Sequence, residues 1–269
     1  MILSLPDSIN NIFGEVKSLT GKEVQLIEKQ DLDTYASIKI ARKSMSAHLM
    51  YYKSEHTGII NHLIAHECGH ILRVYGVEPQ YRLVPYSNDQ LKLKSLKDIE
   101  PDIQKMSQLV PFEKLAQIAN LWYSGMIKQL TNFPSDIWIE KWIYDKYPDL
   151  RPFQALYMKK QYDEAVQALS SRVEKMTPKK LLNASNGMNY AFFNILSKHF
   201  NDNYYMRKYD RSAYVDIGKR LVLLQQESED SYKGDLDTVN KWAETLHLSH
   251  WFAWRDFEDV PDNYLKTFI

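Results

Sequence analysis

The feature that most constrains this chain is a pair of histidines one helical turn apart, His66-Glu67-Cys68-Gly69-His70, set inside a strongly apolar stretch. Ile59, Ile60, Leu63, Ile64, Ile71 and Leu72 recur around it at helical spacing, and Gly76 stands where a helix stop is expected. The pattern predicts a long helix beginning at Thr57. On a helix, residues four apart share a face, so both imidazoles can reach one metal ion. Zinc accepts neutral imidazole nitrogens in a tetrahedral shell and, in catalytic sites, keeps one position for water. A bound metal lowers the pKa of that water towards ~7, so a weak base is sufficient to take its proton. His66 and His70 are therefore candidate Zn2+ ligands, and Glu67, beside the first of them, is the candidate general base. Cys68, the only cysteine, points to another face and reads as a small core residue; Gly69 permits close approach of a neighbouring strand or helix.

Composition removes several other classes. Apolar residues make up 44% and charged residues 25%, which is ordinary for a folded globular chain and argues against disorder. Lys+Arg and Asp+Glu are 34 each, so the formal net charge is zero and gives no global attraction to nucleic acid or anionic membranes. A lone cysteine forms no intrachain disulfide. No stretch approaches the roughly 20 apolar residues of a membrane span. The segment Met1 to Asp7 has neither a basic region nor an apolar run before Pro6, unlike a signal peptide. A cytoplasmic protein is the expectation, with neither nucleic acid nor membrane as partner. No phosphate-binding glycine loop, GxSxG or CxxC pair competes with the histidine run.

Along the chain, Asp7 to Leu19 has helical spacing, followed by strand-like runs at Glu23 to Glu28, Ala36 to Ala41 and Ala47 to Tyr52. Residues 79 to 111, with Pro79, Pro85, Pro101 and Pro111, read as a long, partly ordered connection. Helices are predicted over Phe112 to Leu130, Ser135 to Lys146, Pro152 to Met158, Tyr162 to Lys175, Lys179 to Phe200, Tyr205 to Gln226 and Leu236 to Leu246. No internal repeat or low-complexity tract is present.

The segment resembles the zincin metallopeptidases. More narrowly, Ala47-His48-Leu49-Met50-Tyr51-Tyr52 followed by Ile60-Asn61-His62-Leu63-Ile64-Ala65-His66-Glu67-Cys68-Gly69-His70-Ile71-Leu72 is similar to the small cytoplasmic bacterial peptidases related to ImmA/IrrE. The resemblance covers residues 20 to 76 and fades beyond. It implies a mixed sheet with a strand lining the cleft, an active-site helix, and a later helix carrying the third ligand.

For that ligand, His62 shares the face of His66, but three consecutive turns of a straight helix do not converge on one ion, which gives His62 a supporting or packing role. The best downstream candidates are Asp136 and Glu140, one turn apart in Asn132 to Ile143, where Ile137, Ile139, Trp142 and Ile143 are apolar. One acid would ligate and the other orient a ligand histidine. In thermolysin-like zincins a Glu ligand is followed four residues later by an Asp in the orienting role. Here the acid types are reversed: position favours Asp136 as ligand, residue type favours Glu140. The bland alternative makes Asp136 a helix-start charge and Glu140 a solvated one. Glu78, Glu100 and Asp102 are weaker ligand candidates, and Tyr123, Tyr190 and His199 are conceivable oxyanion donors.

The expected fold is α+β: a small N-terminal mixed sheet with the HExxH helix, then a mostly helical C-terminal half. Residues 1-150 would form a zincin-like domain, with 151-269 a helical extension packed on it. The expected activity is that of a zinc metallopeptidase acting on a protein or peptide substrate. The rivals are a zincin-fold regulatory protein that binds a single partner, and a metal-dependent hydrolase of a non-peptide amide. The presence of Glu67 argues against a dead site, because a structural zinc needs no general base.

Overall fold

The computed structural model describes residues 5–261 except 33, 57 and 109. In chain order the elements are α1 (Asp7–Thr20), β1 (Glu23–Glu28), β2 (Ala36–Lys39), β3 (Ala47–Tyr52), α2 (Ile60–Tyr75), β4 (Leu83–Tyr86), α3 (Asp89–Lys97) and α4 (Glu100–Met106). Then follow α5 (Phe112–Lys146), α6 (Arg151–Gln167), α7 (Ser171–Met176), α8 (Lys179–Phe200), α9 (Val215–Gln226), α10 (Tyr232–Thr245) and β5 (Ala253–Asp256). This is an α+β fold, mostly helical, with a small mixed sheet. β3 is its central strand, parallel to β1 and antiparallel to β2. A separate antiparallel ribbon pairs β4 with β5 and ties the end of the described chain to its first third. Among the described residues no helix is long and apolar enough to cross a membrane.

The N-terminal elements follow directly from side-chain periodicity. Ile9, Ile12 and Val16 form one fully buried stripe of α1, which ends where Gly21 takes a left-handed φ of 70° and donates its N–H to the Lys17 carbonyl. Ala36 and Ile38 of β2 turn inward, as alternation requires. α2 is buried on nearly every side, because α1, the sheet, α5 and α6 surround it. Such burial accounts for its almost unbroken apolar sequence.

Two apolar clusters fill the molecule, and α5 belongs to both. Its Ile139 and Ile143 join α1, the sheet and α2, while Tyr123, Met126, Ile127, Leu130 and Ile137 pack with α8, α9 and α10. Phe257 and Val260 return from the end of the chain to the N-terminal cluster.

Several predicted boundaries are corrected. The segment 79 to 111 is not a partly ordered connection but holds β4, α3 and α4. Asn88 caps α3 by accepting from the Leu91 N–H, Pro101 sits in the first turn of α4, and Pro85 is tolerated in a two-stranded ribbon. The predicted break at Pro134 is absent, and one helix runs through it. Proline removes the N–H that would reach Leu130, at a cost of ~3 kcal/mol, but α5 is anchored on both sides of it, by Leu130 and Ile137 in one core and by Ile139 and Ile143 in the other. Gln225 also donates to the Pro134 carbonyl at 3.2 Å. Asp136 is thus a mid-helix residue, which removes the helix-start explanation for it. The predicted helices Pro152 to Met158 and Tyr162 to Lys175 are instead α6, which runs on to Gln167, and the short α7. Tyr205 and Met206 lie in a short 3-10 turn capped by Asp202, and the helix predicted from Tyr205 starts only at Val215. Tyr205, Met206 and Tyr209 are buried in the core and mimic helical spacing.

Candidate functional site

α2 presents His62, His66 and His70 at successive turns of one face, and α5 packs across that helix. The approach is close: a Cβ placed on Gly69 would stand 2.7 Å from Ile139 Cγ2 and 3.0 Å from Ile139 Cγ1. Only a residue without a side chain lets α5 bring its carboxylates up to the histidines.

Asp136 Oδ1 lies 3.4 Å from His66 Nε2 and 3.2 Å from His70 Nε2. Glu140, one turn further on, places Oε1 2.9 Å from His66 Nδ1 and 3.1 Å from His62 Nε2. Its other oxygen accepts from Gln154 Nε2 at 2.6 Å, and the same amide reaches the Glu140 carbonyl at 2.8 Å. Both acids named from the sequence therefore sit on the histidine face, but in different places. Asp136 faces the two Nε2 atoms, whereas Glu140 holds the opposite edge of His66.

This arrangement fixes protons. A carboxylate only accepts, so Nδ1 of His66 donates to Glu140, and in the neutral ring Nε2 keeps its lone pair. That lone pair faces Asp136 Oδ1, which is buried and has no hydrogen-bond partner among the described residues. Two acceptors at this separation repel unless a positive charge stands with them. The local field favours one. Burial disfavours a charged His66, yet the Asp136 and Glu140 carboxylates prevail and raise its pKa well above the ordinary value. Burial likewise opposes ionisation of both acids, and the histidines more than offset it, holding Asp136 and Glu140 below the usual carboxylate range.

Among the described residues, two groups of three side chains have ligand atoms mutually within 4.8 Å: His66, His70 and Asp136, and His62, His66 and Glu140. The second is closed, since His62 and Glu140 are fully buried and Glu140 is saturated by His62, His66 and Gln154. The first opens on a cleft of about 690 Å³ lined by His66, Glu67, His70 and Asp136. Glu67 Oε2 is buried and unpartnered beside it. Cys68 is fully buried in the apolar core, where burial pushes its thiol pKa far up, as suits a packing residue.

The walls of the cleft are helical. Gly125, Lys128, Gln129, Asn132 and Phe133 continue the Asp136 face of α5 at intervals of three and four, and Tyr157, Lys160, Gln161 and Glu164 do the same on α6. Thr34, Tyr35 and Ala36, at the start of β2, form part of the rim; the strand named in the resemblance, β3, is the central one and does not line it.

Other sequence candidates lie elsewhere. Glu78 and Glu100 are exposed, and neither they nor Asp102 join a ligand cluster among the described residues. Tyr123 donates to the Trp251 carbonyl, Tyr190 packs on Gly218, and His199 pairs with Asp145; none lines the cleft. Two contributors were missed. Gln154 anchors Glu140, and Tyr157 packs its ring 4.7 Å from His62 and 6.2 Å from His66. Burial, then the charges of Glu140, Asp136 and Glu67, keep the Tyr157 hydroxyl protonated far above its ordinary range. Their spacing of three on a predicted helix was the available signal.

No protein-family model, no curated protein and no solved structure matches this chain.

Proposed function

We propose that the chain is a zinc-dependent metallopeptidase, with His66, His70 and Asp136 as the metal ligands and Glu67 as the general base. The observation that carries the reading is the buried Asp136 Oδ1, without a hydrogen bond among the described residues, set against two imidazole Nε2 atoms at 3.2 and 3.4 Å. In a tetrahedral zinc shell with bonds near 2.0–2.1 Å, neighbouring ligand atoms stand ~3.3 Å apart, so the donor set fits the ion. Asp136 rather than Glu140 takes the ligand role, because Glu140 is engaged with His66 Nδ1 and closed off from the cleft. Glu140 and Gln154 act as the support that fixes the ring of His66.

A zinc ion held there would polarise the scissile carbonyl and lower the pKa of water towards ~7. Glu67, whose Oε2 at the cleft wall has no hydrogen bond among the described residues, takes the proton of the attacking water and passes it to the leaving amine. Tyr157, a protonated hydroxyl on the facing helix, is the donor to the developing oxyanion. The cleft follows α5 from Gly125 to Asp136, about 16 Å at ~1.5 Å per residue, which is room for about five extended residues. That length favours a peptide over a small amide.

The test is zinc quantification followed by incubation with unfolded casein, comparing the wild type with Glu67→Gln. One zinc per chain, cleavage by the wild type and none by the variant are expected. Cleavage by Glu67→Gln at the wild-type rate would remove Glu67 as the base, and absence of cleavage by the zinc-loaded wild type on casein and a diverse peptide pool would remove the peptidase reading.

A further inference from the structure

The charges on the cleft walls are unequal in their engagement. Lys53 is 4.0 Å from Glu55, and Glu164 accepts from the Tyr35 hydroxyl. Glu67 and Asp136 belong to the reacting centre. Lys128 on α5 and Lys160 on α6 differ: both are half-buried in the cleft, and neither has a carboxylate within ion-pair distance among the described residues. Lys160 is held with its ammonium 4.0 Å above the Tyr35 ring, which fixes its position without neutralising it. Two unneutralised ammonium groups thus enter one groove from its two helical walls.

Resting on the peptidase reading above, we propose that Lys128 and Lys160 select substrates that place a carboxylate in this groove, with Lys128 standing about three to four residues from the scissile bond. The distance follows from the helix. Lys128 precedes Asp136 by eight residues on α5, about 12 Å at ~1.5 Å per residue, and an extended peptide covers that span in about three and a half residues. The amides of Asn132 and Gln161 line the intervening groove and can pair with substrate backbone without charge preference, whereas the Gln129 amide already donates to the Ser185 carbonyl and Asn189 Oδ1. The anion is read at the far end and the amide bond is cut at the near end. An acidic side chain or a free C-terminal carboxylate supplies the same chemistry.

Binding tests this independently of turnover. Fluorescent dodecapeptides on an Ala/Ser/Gly background, amidated at the C-terminus, would carry Glu, Gln or Lys at three and four residues on either side of the centre. A fourth probe would carry Gln at those positions, with a free carboxylate placed four residues from the centre by truncation. Anisotropy titrations use full-length Glu67→Gln protein with zinc. The Glu probe is expected to bind about tenfold more tightly than the Lys probe, with Gln between them, and the preference should shrink in high salt. Lys128→Gln and Lys160→Gln should each reduce the preference, and Lys128→Glu/Lys160→Glu should reverse it. A free-carboxylate probe matching the Glu probe identifies the chain terminus as an equally good anion; one matching the Gln probe identifies the acidic side chain. Equal affinities for the Glu, Gln and Lys probes, no binding of any probe, or an unchanged preference in the double variant would overturn the proposal. Failure of casein cleavage would instead count against the peptidase reading, since charge preference is read here without hydrolysis.

Discussion

Gly69→Ala is the substitution that tests whether the α2–α5 approach builds the site. The added methyl would meet Ile139 Cγ2 at 2.7 Å, Cγ1 at 3.0 Å and Cδ1 at 3.3 Å, against an ordinary carbon–carbon contact of about 3.5–4.0 Å. Cγ2 is attached at a β-branched carbon whose rotamer is nearly fixed in a helix, so it cannot swing aside. Overpacking of this kind costs about 1–3 kcal/mol, while alanine gains about 0.8–1.0 kcal/mol of helix propensity over glycine. The balance is a loss of up to about 2 kcal/mol, with α5 displaced from the histidines and zinc binding weakened. Ile139→Ala alone should cost about 2–5 kcal/mol, because it empties a buried position. Combined with Gly69→Ala it should cost less, since the three nearest contacts of the new methyl are all with Ile139. Urea unfolding of the four proteins, with and without zinc, measures both effects. A Gly69→Ala protein at least as stable as the wild type, with Ile139→Ala equally costly in both backgrounds, would refute the argument.

Three further outcomes are expected. His48 accepts the Ala41 N–H at Nδ1 and reaches Thr20 Oγ1 from Nε2, and burial, helped by Lys22, lowers its pKa to about 4. Because the unfolded chain takes the proton first as pH falls, this histidine's contribution is complete above pH ~6.5 and is lost towards pH 4, by roughly 3 kcal/mol. The difference in urea-unfolding stability between wild type and His48→Asn should therefore narrow over that range, and a constant difference would contradict it. Gln154→Leu should leave Glu140 Oε2 without its donor and weaken zinc binding by about 10- to 100-fold in competition with a chelator; unchanged affinity would exclude the supporting role. Tyr157→Phe should retain zinc but lower kcat by about 100-fold, and a full-rate variant would remove Tyr157 as the oxyanion donor.

The sequence makes the N-terminal elements legible because each carries its own period: the stripe of α1, the alternation of β2, and the apolar run of α2 around His66 and His70. It also brings Asp136 and Glu140 to notice as acids among isoleucines and tryptophans. Which acid faces the two Nε2 atoms depends on how α5 crosses α2, and that crossing is set by Gly69 against Ile139, a long-range contact invisible in local pattern. The continuity of α5 through Pro134 is illegible for the same reason, because tertiary anchoring on both sides outweighs a local helix breaker. Among the described residues β5 pairs only with β4, far away in sequence, and its short run has no period of its own. Gln154 and Tyr157 gain their roles from what α6 faces, so an ordinary glutamine and tyrosine give little notice of them.

The central claim is that His66, His70 and Asp136 hold one metal ion with Glu140 behind them. Zinc titration of the metal-free protein against a chromophoric chelator tests it most directly, run on the wild type, His66→Ala, His70→Ala, Asp136→Ala and Glu140→Ala. One tight site per chain is expected in the wild type, with loss of stoichiometric binding in the two histidine variants and Asp136→Ala, and a site weakened by about 10- to 100-fold in Glu140→Ala. Full zinc occupancy in His66→Ala and His70→Ala would contradict it, as would Asp136→Ala binding like the wild type while Glu140→Ala binds none.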